Sequence, residues 1–205
     1  MIGIIQKTLT ECLLQAGGEP LRLAVFREAG VPPDRVFRMD QNYADEEMGR
    51  LLAATQRVTG LGADELHDLF SRTFVEVVKQ VFPQFISMSA NSEELVRMQA
   101  KIHALIGAGM RSKIERDTTA DKFHLEDHGP HHVAVRYRSQ LQLCGLYKSL
   151  VCAMAAEFGD VVDIEMLRCR KAGAEACGFA VRWLAIAGRP TGMNPRPVAQ
   201  AALGR

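Results

Sequence analysis

The feature that most limits what this chain can fold into is a change of hydrophobic period near Gly109. Before it, apolar residues recur every three or four positions and so share one face of a helix; after it they alternate and so share one face of a strand. Five helical stripes precede the change. Ile2, Ile5, Leu9 and Leu13 form the first, and Leu21, Val25, Phe26 and Ala29 the second. Gly30 and the following Val-Pro-Pro-Asp should end the second, because glycine accepts a left-handed backbone and proline cannot continue a helix. Met48, Leu51, Leu52, Thr55 and Val58 stop at Gly60, and the stripe from Leu66 to Val81 stops before Pro83. The fifth begins at Asn91-Ser92-Glu93-Glu94, where Asn91 can cap free amides and the glutamates complement the positive helix end.

Past Gly109, "KFHLEDHGPHHVAVRYRS" alternates on both sides of a Gly-Pro turn. Phe123 and Leu125 lead in, and Val133, Val135, Tyr137 and Ser139 share a face on the way out, the signature of a β-hairpin. Helical spacing returns through Leu143, Leu146, Leu150 and Met154 up to Gly159. A second hairpin follows, "VVDIEMLRC" and "CGFAVRWLA" joined by "RKAGAEA". Helices first and antiparallel strands later, without strand-helix-strand alternation, predict an α+β fold: a helical amino-terminal half on an antiparallel sheet with one inserted helix. One domain is expected over residues 1–187, with the Pro- and Gly-rich stretch 188–205 as a flexible tail.

Composition narrows the function classes. A net charge of +1 with 24% charged residues lacks the field that steers nucleic-acid binders. The longest apolar runs, such as Ser149 to Ala156, fall far short of the ~20 residues a spanning helix needs. The start "MIGIIQKTLTE" does not read as a signal peptide, so the expected compartment is the cytoplasm. Thiols stay reduced there, which makes the five cysteines core residues or metal ligands rather than disulfides. No nucleophile with a nearby base and no phosphate-binding glycine loop is present, so an enzyme is not expected. His128, His131 and His132 surround a turn without ligand partners at fixed spacing and read, with His124, as solvated.

His103 stands apart. It lies in "MQAKIHALI", beside a stripe of Leu95, Met98, Ile102, Leu105 and Ile106, and spacing alone makes it a half-buried border residue. Read with the rest of the chain it says more. The start "MIGII", the "GVPPDRVF" connection, the Phe82-Pro83 break, a helix with a lone histidine, a strand carrying Tyr137-x-Ser139 and a closing hairpin together resemble the heme-nitric oxide/oxygen binding (H-NOX) family over about residues 1–185. The resemblance implies a bacterial-type heme b gas sensor. His103 would be the proximal iron ligand, and Tyr137 and Ser139 would hold the heme propionates. Ile5, Leu9 and Leu146 would neighbour the distal face.

The chain departs from that pattern at two places. Leu141 stands where the family's Tyr-x-Ser-x-Arg motif has arginine, and a charge-assisted contact of that kind contributes about 1.5 to 3 kcal/mol. "GMRSKIERDTT" lacks the usual proline against the porphyrin. Leu146 holds the place of the distal tyrosine of oxygen-binding members, so the resemblance implies nitric oxide and carbon monoxide rather than oxygen as ligands. It also implies a histidine kinase or a cyclic-di-GMP enzyme as signalling partner. Cys144, Cys169 and Cys177 match three places of a four-cysteine zinc site found in some members, with Met166 at the fourth; thioether is a poor zinc ligand. Cys12 and Cys152 fall on helix stripes and are expected in the core. The closing "CRKAGAEACGF" also resembles the 4-vinyl reductase type of small-molecule-binding domain. That leaves open a relative that lost heme and binds another ligand, or a thiol- or zinc-responsive module.

Overall fold

The first two stripes share one helix, α1 (Ile4–Ala29), which bends at Gly17 and Gly18. Gly18 sits at φ +66° and ψ −163°, a backbone open in practice only to glycine, and Pro20 restarts the helix beyond it. Residues 3–39, 41–110 and 112–187 are described in this computed structural model; the expected tail, 188–205, lies outside the described residues. Gly30 closes α1 in the left-handed conformation, with Val31 N donating to Phe26 O at 2.8 Å. α2 (Asp45–Thr59) ends at Gly60 in the same way, and α3 (Ala63–Val81) runs into Phe82 and a short α4 (Pro83–Ser87). α5 (Ser92–Ala108) starts as its sequence predicts, with Asn91 Oδ1 accepting from Glu94 N at 2.9 Å.

An eight-residue helix, α6 (Lys113–Ala120), was not expected. It buries none of its residues, and its one large apolar side chain, Ile114, is 77% exposed, so it carries no hydrophobic period to read. Its place comes from packing on α5 at Gly107, where a β-carbon would lie 3.0 Å from Arg116 O.

The remaining elements are β1 (Phe123–Asp127), β2 (His132–Tyr137), α7 (Cys144–Phe158), β3 (Val161–Arg168) and β4 (Cys177–Ala185). The four strands form one antiparallel sheet in the order β1-β2-β4-β3, with Phe123 opposite Tyr137, Tyr137 opposite Cys177 and Ile164 opposite Val181. The fold is α+β: a helical amino-terminal half on an antiparallel sheet, with α7 inserted between the two hairpins. α7 is buried on several sides. Leu146 joins a helical core of Leu9, Phe26, Met48 and Phe70; Tyr147 and Val151 join the sheet core of Phe123, Val135, Phe179 and Trp183; Met154 and Phe158 pack with Ile4, Val78 and Ile86. Among the described residues no helix is long and apolar enough to cross a membrane.

The amino-terminal end of α5 is tied to the sheet by polar contacts. The buried Asp160 accepts from Ser92 N (2.8 Å), Ser92 Oγ (2.6 Å) and Ala187 N (3.0 Å), while Trp183 Nε1 donates to Ser92 Oγ at 2.8 Å. Beside this knot, Glu93 pairs with His131 at 2.7 Å and with Arg97, and Arg97 reaches Asp127 at 3.1 Å and Gly129 O. Burial works against the charge on Glu93, yet the hydrogen bonds from His131 and Arg97 outweigh it and hold the carboxyl below its ordinary 4.5.

Two outcomes follow. Asp160→Ala leaves buried donors without an acceptor and should lower the unfolding free energy by about 3 kcal/mol, read from urea melts. Because Glu93 has a lower value folded than unfolded, its ion pairs contribute stability above pH 4.5 that disappears as pH falls through the folded value. Glu93→Gln should therefore flatten the acid limb of a stability-against-pH curve; an unchanged limb would refute the assignment.

Candidate functional site

α5 presents Val96, Ala100, His103 and Gly107 to the sheet and α6, at intervals of four, three and four residues. His103 is therefore central to a packed face. The expected stripe is displaced, and its member Leu105 is 61% exposed, because small residues at 100 and 107 let α5 approach its neighbours on that other side. The imidazole packs on Phe123 at 4.6 Å between ring centroids, and Phe123 continues into a wall with Tyr137 (5.1 Å) and Tyr147 (5.5 Å). His103 Nδ1 is buried with no hydrogen-bond partner. Burial, with a smaller contribution from the Lys122 charge, pushes the ring's pKa down to about 3, so it is neutral at physiological pH and has a lone pair to donate.

His103 lies on the wall of a cavity of about 840 Å³, within the range of small-molecule sites. The loop 42–45, α6, Asp121, Lys122, the segment 138–140, Arg170 and Glu175 complete the lining. Ser139 shares this wall. Its hydroxyl is buried beside the Tyr137 phenol but makes no hydrogen bond of good geometry. Tyr137 itself stands behind the cavity in the aromatic wall, and burial raises its pKa to about 12. β2 ends at Tyr137, so Arg138 escapes the strict alternation of the strand and reaches the cavity lining, where Asp121 and Glu175 engage it. Leu141 packs instead against the helical core.

The structure thus gathers His103, Tyr137 and Ser139 around one place. It sets Ile5, Leu9 and Leu146 elsewhere: Leu9 and Leu146 are fully buried in the helical core, Ile5 packs at its edge, and none of the three lines the cavity. Tyr147 turns toward the sheet, and its hydroxyl donates to Gln99 on α5 at 3.3 Å. Sequence reasoning missed Lys122, which has no periodicity to mark it, and Gln6 and Thr8, whose fully buried side chains have no hydrogen-bond partners among the described residues.

The residues offer heme an unpartnered neutral imidazole, a buried hydroxyl and three cations (Lys122, Arg138, Arg170) on one cavity, whose lining also carries the carboxylates of Asp45, Glu115, Asp117, Asp121 and Glu175. A second cluster stands at the start of α7. The sulfurs of Cys144, Cys169 and Cys177 lie within 4.8 Å of one another, with Cys144 and Cys169 at 3.6 Å. The Lys171 amide holds the Cys169 thiol below its ordinary value, while burial pushes Cys144 up to about 11. Cys12 is in the helical core as expected, but Cys152 is exposed, since Val151 and Met154 take the buried arc of α7 on either side of it.

Comparison with known proteins gives a consistent picture. The family model described as Haem-NO-binding matches residues 2–166. Among solved structures, an H-NOX protein from S. oneidensis in the Fe(II)NO ligation state superposes with a TM-score of 0.71 at 18% identity, over 90% of this chain and all of the other. An oxygen binding H-NOX domain related to soluble guanylate cyclases, in its oxygen complex, gives 0.71 at 16% identity over 91% and 96% of the two chains. The I5F mutant of T. tengcongensis H-NOX gives 0.74 at 16% identity over 91% and 100%. At these identities the likeness is one of fold. No match is found among curated proteins.

The thiol environments make a chemical prediction. Limited alkylation at neutral pH, mapped by mass spectrometry, should label Cys169 ahead of Cys144, and ahead of the exposed Cys152, whose thiol burial raises.

Proposed function

This chain belongs to the Haem-NO-binding family, and from that membership we propose that it is a non-enzymatic gas sensor that holds heme b through His103 and responds to nitric oxide. The observation that carries this reading is the imidazole itself: half-buried and neutral, with a buried Nδ1 that has no protein partner, on the wall of a cavity. Heme iron held by one imidazole leaves its opposite face for a diatomic gas. The chain's own residues supply the rest. The low pKa of His103 means that no proton competes for the donor nitrogen at neutral pH. Phe123 fixes the ring's tilt at 55°. Ser139, with Tyr137 beside it, offers a hydroxyl to a carboxylate.

The preference for nitric oxide and carbon monoxide over oxygen rests on the side chains that the resemblance assigns to the distal face. Ile5, Leu9 and Leu146 carry no hydroxyl, and the Tyr147 hydroxyl is engaged with Gln99. Relay to a partner, a histidine kinase or a cyclic-di-GMP enzyme in the cytoplasm by family analogy, would use α5. That helix is clamped at Ser92, whereas its far end packs on a helix with no buried residue, so the end bearing His103 is the one able to move. The reading in which the domain has lost heme and binds another ligand is not favoured by the family match.

Expression with heme supply should yield a Soret band that His103→Ala abolishes or makes dependent on added imidazole; a band indifferent to that substitution would overturn the assignment. The ferrous protein should take up nitric oxide and carbon monoxide, and a stable oxygen complex in air would sink the gas preference. Zinc on Cys144, Cys169 and Cys177 is the second cofactor of this reading, supported by their mutual 4.8 Å and short of the four donors that structural zinc takes. Metal analysis of protein purified without chelators decides it: zinc lost in Cys169→Ser supports the site, and no zinc in the parent removes it.

A further inference from the structure

Three cations line the cavity, and two are engaged. Arg138 pairs with Asp121 and Glu175, and Arg170 Nη1 donates to Ser139 O at 2.7 Å. Lys122 is different. Its backbone is fixed, the amide donating to Thr119 O and the carbonyl accepting from Arg138 N at 3.0 Å, which places the residue between the end of α6 and the first sheet ladder. Its partly buried side chain lines the cavity and has no ion pair or hydrogen bond among the described residues. Of the acids that line the cavity, Asp121 pairs with Arg138 and His124, Asp117 with Lys113 and Glu175 with Arg138, and Glu115 makes no ion pair with the lysine. Asp45 is near enough to favour the lysine's charge, but burial dominates and lowers its pKa.

A lysine held part-way out of water without a counter-ion is destabilising, and a protein keeps such a group where a ligand supplies the missing charge. Lys122 and His103 line the same cavity, so a ligand that His103 coordinates there would share that space with the lysine. We infer that Lys122 is an anion-binding residue of the cavity, pairing with a carboxylate at the edge of the ligand that His103 coordinates. The inference rests on the heme reading, in which the carboxylate is a heme propionate. Leu141 cannot serve in that role, because it packs against the helical core and does not line the cavity.

The test compares hemin with its dimethyl ester, which keeps the macrocycle and removes both carboxylates. Titrated into heme-free protein, hemin should bind about ten- to a hundredfold more weakly to Lys122→Met than to the parent, the range expected for one charge-assisted hydrogen bond. Lys122→Arg should stay close to the parent, and the ester should bind the parent and Lys122→Met alike. Equal hemin affinity in Lys122→Met, or an equal loss with the ester, would overturn the assignment. A parent that takes up no hemin at all would instead bring down the functional reading and this inference with it. Thermal melts of the heme-free chains give an independent measure. Lys122→Met should melt above the parent because it removes an uncompensated charge; a clear drop would mean that the protein itself satisfies the ammonium, against the inference.

Discussion

The arrangement of the site depends on one carboxylate. Asp160 immediately precedes β3, and it accepts three hydrogen bonds from the first turn of α5 and from the segment after β4, while Trp183 completes the knot through Ser92. This fixes the rotation and depth of α5 where it meets the sheet. His103 lies eleven residues further along, about 16 Å at helical rise, so a small rotation at Ser92 would carry the imidazole off Phe123 and away from the cavity. The Glu93–His131 and Arg97–Asp127 contacts hold the same end against the tip of the first hairpin. Positional accuracy at the ligand is thus obtained from polar contacts outside the cavity.

The cavity gathers unmatched polar groups in one place. Several buried polar groups elsewhere find partners, as Thr55 does with Leu51 O and Ser89 with Phe85 O, while the side chains of Gln6, Thr8 and Ser71 stay unpartnered away from it. On this one wall an imidazole nitrogen and a hydroxyl are left unmatched, and an ammonium without a counter-ion stands with them. Each orphan of this kind costs about 1 to 3 kcal/mol. Their convergence on one space is what separates a binding site from three independent defects.

Much of the fold was legible because it is written in period and punctuation. The stops at Gly30, Gly60, Pro83 and Gly159, the cap at Asn91 and both hairpins depend on local backbone chemistry that a sequence displays directly. α6 was not legible, since "KIERDTTA" buries nothing and exists by leaning on α5. The site was legible in its residue types and less so in its geometry. His103 was visible as an unusual residue, but its centrality depends on Ala100 and Gly107 allowing close packing, a tertiary effect that spacing does not encode. Alternation predicts one face for Tyr137 and Ser139, but β2 stops at Tyr137, so that Ser139 and Arg138 line the cavity while Tyr137 stands behind it. Lys122 was invisible, because what distinguishes it is the absence of a partner.

α7 carries a consequence for the whole chain. Three hydrophobic groups meet on it, through Leu146, through Tyr147 and Val151, and through Met154 and Phe158. Neither half can shed its own core without exposing surface that belongs to the other, so the helical and strand-rich portions should melt as one cooperative unit although the hydrophobic period changes between them.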